Sequence, residues 1–564
     1  MLKFDLPSAR KPKTASPVDY REYAWVALAY LVVGLISTWP LATHFNTHLF
    51  GLPGDNYGAL WSFWYNRTHD FSYGAPAQPV MLAMAQLLSR WLNEVATYNL
   101  IILAGYPLAG LAIYLIVNYF TDNRQASWLA GLIYVLGPYH IYHSYVHLGL
   151  SMMAWLPLYF YALLLWLKQP KLQRAAVSGL TLALVILDNY YYGYLALLLT
   201  VFFVIGLIVQ IRRGRLSFAT ALIQGLVAIG ITGIIVIPFV LPAMLTPTLA
   251  TGATIQQEFE RPLREVFVFS AHFSDYILPS ITHPVFGRAV ETLTSSSLAG
   301  SNYFERSLYL GIIPLALACL GAWRNRQKWL IYLLLTLLVS SIILSLAPVP
   351  IATWLHSQFP TFRVYARFGV LALMAIAILA GIGFDSISKS SRSGLLYLAF
   401  LLFIVIDFFP LWPAPMIDVT TVRPAEAELA LLPTHHIIVY PLAEPDELRN
   451  AEYQADSRRF AQRLYNNVNP TYHDPGVRAG LRDPRLPATV QRWRDLTIGY
   501  VLIRKDIYRE GRINPELRRF YGPDYPLYLP AWLDGAVPDM SQTPGIKLLQ
   551  SDEQSDLYQI LPAS

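Results

Sequence analysis

A single cysteine, Cys319, stands in 564 residues, inside an apolar run, so the chain can form no intrachain disulfide and offers no thiolate cluster for a metal. Charge is equally scarce. Asp, Glu, Lys and Arg together make up 14% of the residues, where soluble domains carry about 25%. No glycine-rich phosphate loop, dinucleotide fingerprint or internal repeat occurs, which argues against an ATP-driven pump. What replaces these features is apolar sequence: 55% of residues are hydrophobic and the mean hydropathy is +0.39. This is the composition of a polytopic α-helical membrane protein. The formal net charge of +6 raises the question of nucleic acid, but the basic residues sit in short loops between apolar runs, a sign of membrane topology and of no nucleic-acid partner.

About 20 predominantly apolar residues are needed to cross a bilayer as a helix. Eleven candidate transmembrane helices meet this roughly, over 23–41, 97–119, 126–140, 147–167, 175–189, 192–211, 218–243, 306–323, 328–348, 364–385 and 394–413. The third and fifth are short and are expected to be tilted, broken or extended. With the N-terminal segment 1–22 cytoplasmic, every inner loop is basic, from Arg21 through Arg124, Lys168, Arg212 and Arg324 to Arg392. Two long outer loops then span 42–96 and 244–305, and an odd number of spans puts 414–564 outside. The first apolar run follows about twenty mostly polar residues and lacks a small-residue cleavage site, so it reads as a retained anchor of a multi-pass protein. Within the first outer loop, "QPVMLAMAQLLSRWLNEV" reads as an amphipathic helix lying on the lipid bilayer.

Beyond Pro415 the apolar runs shrink to strand length, in "HHIIVYPL", "IGYVLIRKD", "GIKLL" and "DLYQILP". Residues 414–564 are therefore expected to form a small extracytoplasmic α/β domain.

Several polar residues gather at the expected outer ends of the spans. Asp55, in "GLPGDNYGALWSFWY", is either a working carboxylate whose pKa the interface raises or a turn residue. Asp70 is a weaker candidate in the same loop. His140, His143 and His147 in "GPYHIYHSYVH" share a helical face at offsets of three and four if the segment is helical, and read as polar lining of a wet cavity, with a metal site as the weaker alternative. Asp188 and Asn189 in "ILDNYYYGY" interrupt an apolar stretch, which marks either a functional site or a turn cap. The loop 244–305 brings Glu258, Glu260, Arg261, Arg264, His272, Asp275 and His283 among aromatics, a pattern suited to a loop folded over a polar ligand. Arg363 and Arg367 in "FRVYARFGV" are fixed cations able to hold a phosphate or to anchor a helix at the headgroups.

The motifs "LPGDNYGALWSFWY", "GLIYVLGPYHIYHSYVHLGLSMMAWLPLYFYAL", "DNYYYGYL", "FSDYILPSITHPVFG" and "RVYARFGVLALMAIAILAGIGF", in this order, resemble those of GT-C superfamily glycosyltransferases, in particular bacterial multispanning proteins related to YfhO. The resemblance covers roughly residues 23–413 and rests on motif order. It implies a GT-C-like transmembrane domain and a lipid-linked sugar donor, usually a polyprenyl phosphate sugar. It also implies inverting transfer of a hexosyl or pentosyl unit to a glycan, lipid or protein acceptor. By the same resemblance Asp55 would be the general base, Arg363 or Arg367 would balance the departing phosphate, and Asp188 and the histidines would line the substrate cavity. Superfamily members differ in their use of Mg or Mn. Here the first loop lacks the second adjacent carboxylate of some relatives, so no residue is assigned to a metal. A non-catalytic flippase or transporter of lipid-linked glycans is the alternative, against which the clustering of acids at one end of the spans argues.

Overall fold

The computed structural model describes residues 20–68, 78–245, 261–294, 303–346, 349–388, 393–443, 448–460, 462–466, 468–510 and 536–562. Asp70, Glu258 and Glu260 lie outside the described residues.

Each of the eleven apolar segments contains a helix, because a backbone without water must satisfy its own hydrogen bonds. The first seven follow from α1 (Tyr20–Ser37), α4 (Glu94–Thr121), α5 (Arg124–Leu136), α8 (Trp155–Lys168), α9 (Leu172–Asp188), α10 (Tyr190–Arg212) and α11 (Phe218–Leu245). Between α1 and α4 lie the strand β1 (His48–Phe50) and the helices α2 (Asn56–Thr68) and α3 (Pro79–Leu88). Five helical stretches are long and apolar enough to cross a membrane: Glu94–Thr121, Leu148–Lys168, Tyr190–Arg212, Phe218–Leu241 and Tyr365–Asp385. The other six segments hold helices of 13 to 18 residues. The expected third span breaks at Gly137, where Pro138, lacking an N–H, starts the separate helix α6 (Pro138–Ser144). A single turn, α7 (Leu148–Ser151), then leads into α8.

The helices differ sharply in how they are surrounded. In Tyr365–Asp385, 94% of the apolar window is buried, against 11% in Phe218–Leu241. The first is the central helix of the bundle and the second presents its side chains outward, the arrangement expected when lipid is as apolar as leucine. Close crossing at the centre is achieved by glycine: a Cβ on Gly383 would lie 1.9 Å from the Leu317 carbonyl oxygen, so only glycine lets helix Ile312–Arg324 approach.

The tail strands form as read. "HHIIVYPL" holds β3 (His436–Tyr440) and "IGYVLIRKD" holds β5 (Ile498–Arg504), while the last two stretches give β6 (Ile546–Ser551) and β7 (Ser555–Ile560). With β4 (Arg463–Leu464) they make one mixed sheet in the order β4-β3-β5-β7-β6. Alternate residues enter two cores: Ile438, Tyr440, Val501 and Ile503 pack with Trp493, and Ile437, Val439, Tyr500 and Leu502 with Leu429 and Tyr453. Burial on both faces explains the nearly continuous apolar runs. Ahead of this sheet, the strand β2 (Met416–Asp418) pairs antiparallel with β1, Leu49 opposite Ile417, and so ties the tail to the first loop.

Candidate functional site

Asp55 sits at the end of a turn that three parts of the chain hold. Asn99 of α4 accepts from the Phe50 N–H at 3.1 Å and donates to the carbonyls of Phe45 and His48 at 2.9 and 2.8 Å, which fixes β1. The Gly51 N–H donates to Pro415 in the tail at 2.8 Å, and the Leu52 N–H to Tyr145 at 2.9 Å. Gly51 itself adopts φ +110°, and a Cβ there would lie 2.0 Å from the Tyr145 carbonyl oxygen, so the turn demands glycine. Asn56 then does the polar work of the turn, accepting from the N–H groups of Gly54 and Tyr57 at 3.0 Å and donating to the Leu52 carbonyl at 2.8 Å.

With Asn56 in that role, the Asp55 carboxylate turns elsewhere. His147 Nδ1 lies 2.8 Å from Asp55 Oδ2, while the Asp55 side chain remains 79% exposed. On its other side, His147 Nε2 is 3.3 Å from Glu305 Oε1. Glu305 is buried, and its Oε2 also accepts from Arg367 Nε at 3.0 Å and lies 3.2 Å from His143 Nε2. The result is one connected chain of side chains, Asp55 to His147 to Glu305 to Arg367, drawn from four separate stretches of sequence. The Arg367 guanidinium also stacks 4.2 Å over the Tyr191 ring at the start of α10.

The charges follow from this wiring. Both ring nitrogens of His147 face carboxylates, which only the imidazolium can satisfy with two N–H donors. Burial alone would lower the His147 pKa, but the charge and hydrogen bond of Asp55, with Glu305 behind, raise it to about 9. His147 precedes the apolar span Leu148–Lys168 by one residue, at the mouth of the site. The sequence-based expectation of a raised Asp55 pKa is corrected: desolvation does push it up, but the adjacent His147 charge and hydrogen bond outweigh that and hold it below its ordinary value. Glu305 is held well below the usual carboxylate range, since the Arg367 charge and three hydrogen bonds outweigh its desolvation. In His143, burial dominates and lowers the pKa despite Glu305.

The remaining predicted residues are placed elsewhere. His140 shares α6 with His143, but its ring nitrogens face the carbonyls of Val135 at 2.7 Å and Ser151 at 3.1 Å. His140 and His143 are both buried. Asn189 caps α10, accepting from the Tyr191 N–H at 2.9 Å, and donates to the Gly149 carbonyl at 3.0 Å. Asp188 is buried at the end of α9, with the Trp155 indole N–H facing its carboxylate. Asp275 forms a bidentate pair with Arg306, at 2.9 and 2.8 Å, and accepts from the His272 N–H. His283 accepts from the N–H groups of Val285 and Phe286. Arg363 pairs with Glu265 at 2.5 Å, its guanidinium 5.2 Å from the Phe269 ring.

Glu305 is the residue that sequence reading missed. Its one signal was an acid placed immediately before an apolar run, at the last position of the loop 244–305. Among the described residues no group of three or more His, Cys, Asp or Glu side chains is arranged to hold a metal ion.

Three comparisons bear on this arrangement. The family described as bacterial membrane protein YfhO matches residues 66–286. This is narrower than the 23–413 over which the motifs resemble that family, and it includes His140, His143, His147, Asp188 and Asn189 but not Asp55, Glu305 or Arg367. No curated protein matches. Among solved structures, the arabinofuranosyltransferase AftD from Mycobacteria superposes with a TM-score of 0.51 at 13% identity, over 97% of this chain and 40% of AftD. This chain thus spans about two fifths of the length of that protein. The Archaeoglobus fulgidus oligosaccharyltransferase tethered with an acceptor peptide gives 0.49 at 12% identity, over 87% of this chain and 70% of its own. ArnT from Cupriavidus metallidurans, bound to undecaprenyl phosphate, gives 0.44 at 12%, over 96% and 97%. The chain therefore has the helical membrane-protein fold of AftD and, over residues 66–286, the sequence pattern of the bacterial membrane protein YfhO family.

Proposed function

We propose that this chain is a membrane glycosyltransferase of the GT-C type, which moves a hexosyl or pentosyl unit from a polyprenyl-phosphate-linked donor to a cell-envelope acceptor with inversion. The acceptor is a glycan, lipid or protein at the outer face of the bacterial cytoplasmic membrane, with the N-terminus inside. One observation carries the reading: an exposed carboxylate, Asp55, is held by a cationic imidazole that a buried carboxylate, Glu305, fixes in turn. The motif order and the AftD-like fold support it.

In this reading Asp55 accepts the acceptor hydroxyl proton as that oxygen attacks the anomeric carbon. Its lowered pKa makes it a weak base toward a free alcohol, so proton transfer comes late, when bond formation has made the hydroxyl acidic. The phosphate is a good leaving group, so one carboxylate suffices where glycosidases need two. His147 and Arg367 supply fixed positive charge at the same end, where the departing phosphate oxygen becomes more negative. The exposure of Asp55 then lets the proton escape to water.

The test is transfer of a labelled sugar from polyprenyl phosphate in proteoliposomes that hold the purified chain or its Asp55→Asn variant. Loss of transfer with unchanged donor binding is expected. Transfer retained by the well-folded variant overturns the role of Asp55, and lipid movement without transfer by the wild-type chain would establish the flippase.

A further inference from the structure

At the opposite end of the bundle a groove opens between α1, α4, α5 and helix Ser393–Asp407, lined by Arg21, Glu22, Trp25, Arg124, Trp128 and Tyr397. It is remote from Asp55: Tyr114 in its wall stands 15 residues along α4 from Asn99, about 22 Å at the helical rise. Glu22 organises one side, accepting from the Tyr114 hydroxyl at 2.5 Å and pairing with Arg124 at 2.5 Å. Arg124 nevertheless keeps 72% of its side chain open, and among the described residues the groove lining holds Arg21 and Arg124 beside Glu22. Its floor is rigid, since Trp128 stacks on Tyr30 at 5.4 Å and its carbonyl accepts from the Tyr30 hydroxyl at 2.8 Å.

Trp25 in the groove lining also begins an exposed apolar face of α1. Trp25, Leu28, Val32, Leu35 and Ile36 are all exposed on α1 at spacings of three, four, three and one, which follows one stripe of a helix. Cations in the groove and the apolar α1 face that starts at Trp25 match a ligand with an anionic head and long acyl chains; a soluble phosphate would use only the cations. We infer that this groove binds an anionic phospholipid, its phosphate between Arg21 and Arg124 and its chains along the Trp25 to Ile36 stripe. The site stands apart from Asp55 and from the proposed transfer reaction.

The full-length chain in phosphatidylcholine nanodiscs, titrated with phosphatidylglycerol and read by native mass spectrometry, tests this. Saturable binding about tenfold tighter than added phosphatidylcholine is expected, from favourable charge at a membrane surface. Arg21→Gln/Arg124→Gln should bring the ratio close to one. Glu22→Gln, which removes the local anion, should raise it. Arg326→Gln/Lys328→Gln, which removes two cations away from the groove, should leave it unchanged. Equal binding of the two lipids, a ratio unaffected in Arg21→Gln/Arg124→Gln, an equal loss in Arg326→Gln/Lys328→Gln, or equal competition by soluble glycerophosphoglycerol overturns the assignment. Should Arg21→Gln/Arg124→Gln fail to fold, the opposite sign required of Glu22→Gln still decides it.

Discussion

His147 holds Asp55 through its Nδ1, 2.8 Å from the carboxylate Oδ2, and this contact makes the exposed acid part of a charged pair. The pair has a definite pH signature. The folded His147 pKa of about 9 lies above its ordinary 6.5, so its contribution to stability is complete below pH 6.5 and is lost as pH rises through about 9. Asp55 is displaced the other way, so its share is present above its ordinary 3.8 and lost as pH falls below it. Thermal unfolding in detergent across this range should show the wild type losing stability between pH 6.5 and 9. His147→Asn should lack that step, and parallel curves would sink the pairing.

Removing one end of the buried chain should cost more than removing the connection as a whole. Arg367→Gln leaves the Glu305 carboxylate buried with its strongest partner gone, an effect of about 3–5 kcal/mol. Arg367→Gln/Glu305→Gln should lose clearly less than the sum of the single variants. Denaturant unfolding of all three in one detergent measures this, and strict additivity would show that the two side chains do not act together.

The turn ahead of Asp55 makes a contrast between two glycines. Gly51→Ala places a Cβ against the Tyr145 carbonyl at a left-handed φ, so a loss of about 1–3 kcal/mol or more is expected. Gly58 lies inside α2 with nothing near its missing Cβ, so Gly58→Ala should stabilise by about 0.5–1 kcal/mol. The midpoints of unfolding should therefore move in opposite directions.

Asn99 carries the third support of that turn. Asn99→Ala strands the Phe50 N–H and removes a donor from two carbonyls, at a cost of roughly 2–4 kcal/mol. Asn99→Asp keeps the acceptor for Phe50 but sets a buried carboxylate oxygen against the Phe45 and His48 carbonyls, so it should not recover the loss. If sugar transfer is measured beside stability, Asn99→Ala should lower it as well, since β1 then no longer fixes the Asp55 turn; wild-type transfer by Asn99→Ala would count against that link.

How much of this was legible beforehand depends on the range of the interactions involved. Helices lie in each of the eleven apolar stretches because backbone satisfaction in lipid is a local demand. The strands β3, β5, β6 and β7 were legible for the same reason, their runs being short and bounded by turn residues. His140 shares α6 with His143 yet faces the Val135 and Ser151 carbonyls, contacts that helical spacing does not record. Asp55 was recognised as an acid in a turn, but the direction of its pKa was not, since His147 lies 92 residues away.

The sequence by itself determined an apolar, helix-forming chain with a helix in each apolar stretch, and that Asp55 stands on a Pro-Gly turn between two of them. Only the tertiary structure decided that Glu305 lies between His143, His147 and Arg367, and that Asp188, Asp275 and His283 stand outside this chain of contacts. The physical reason is that periodicity records what a residue does within its own helix, whereas a charge buried at the end of a span is stabilised by whichever opposite charge the packing delivers.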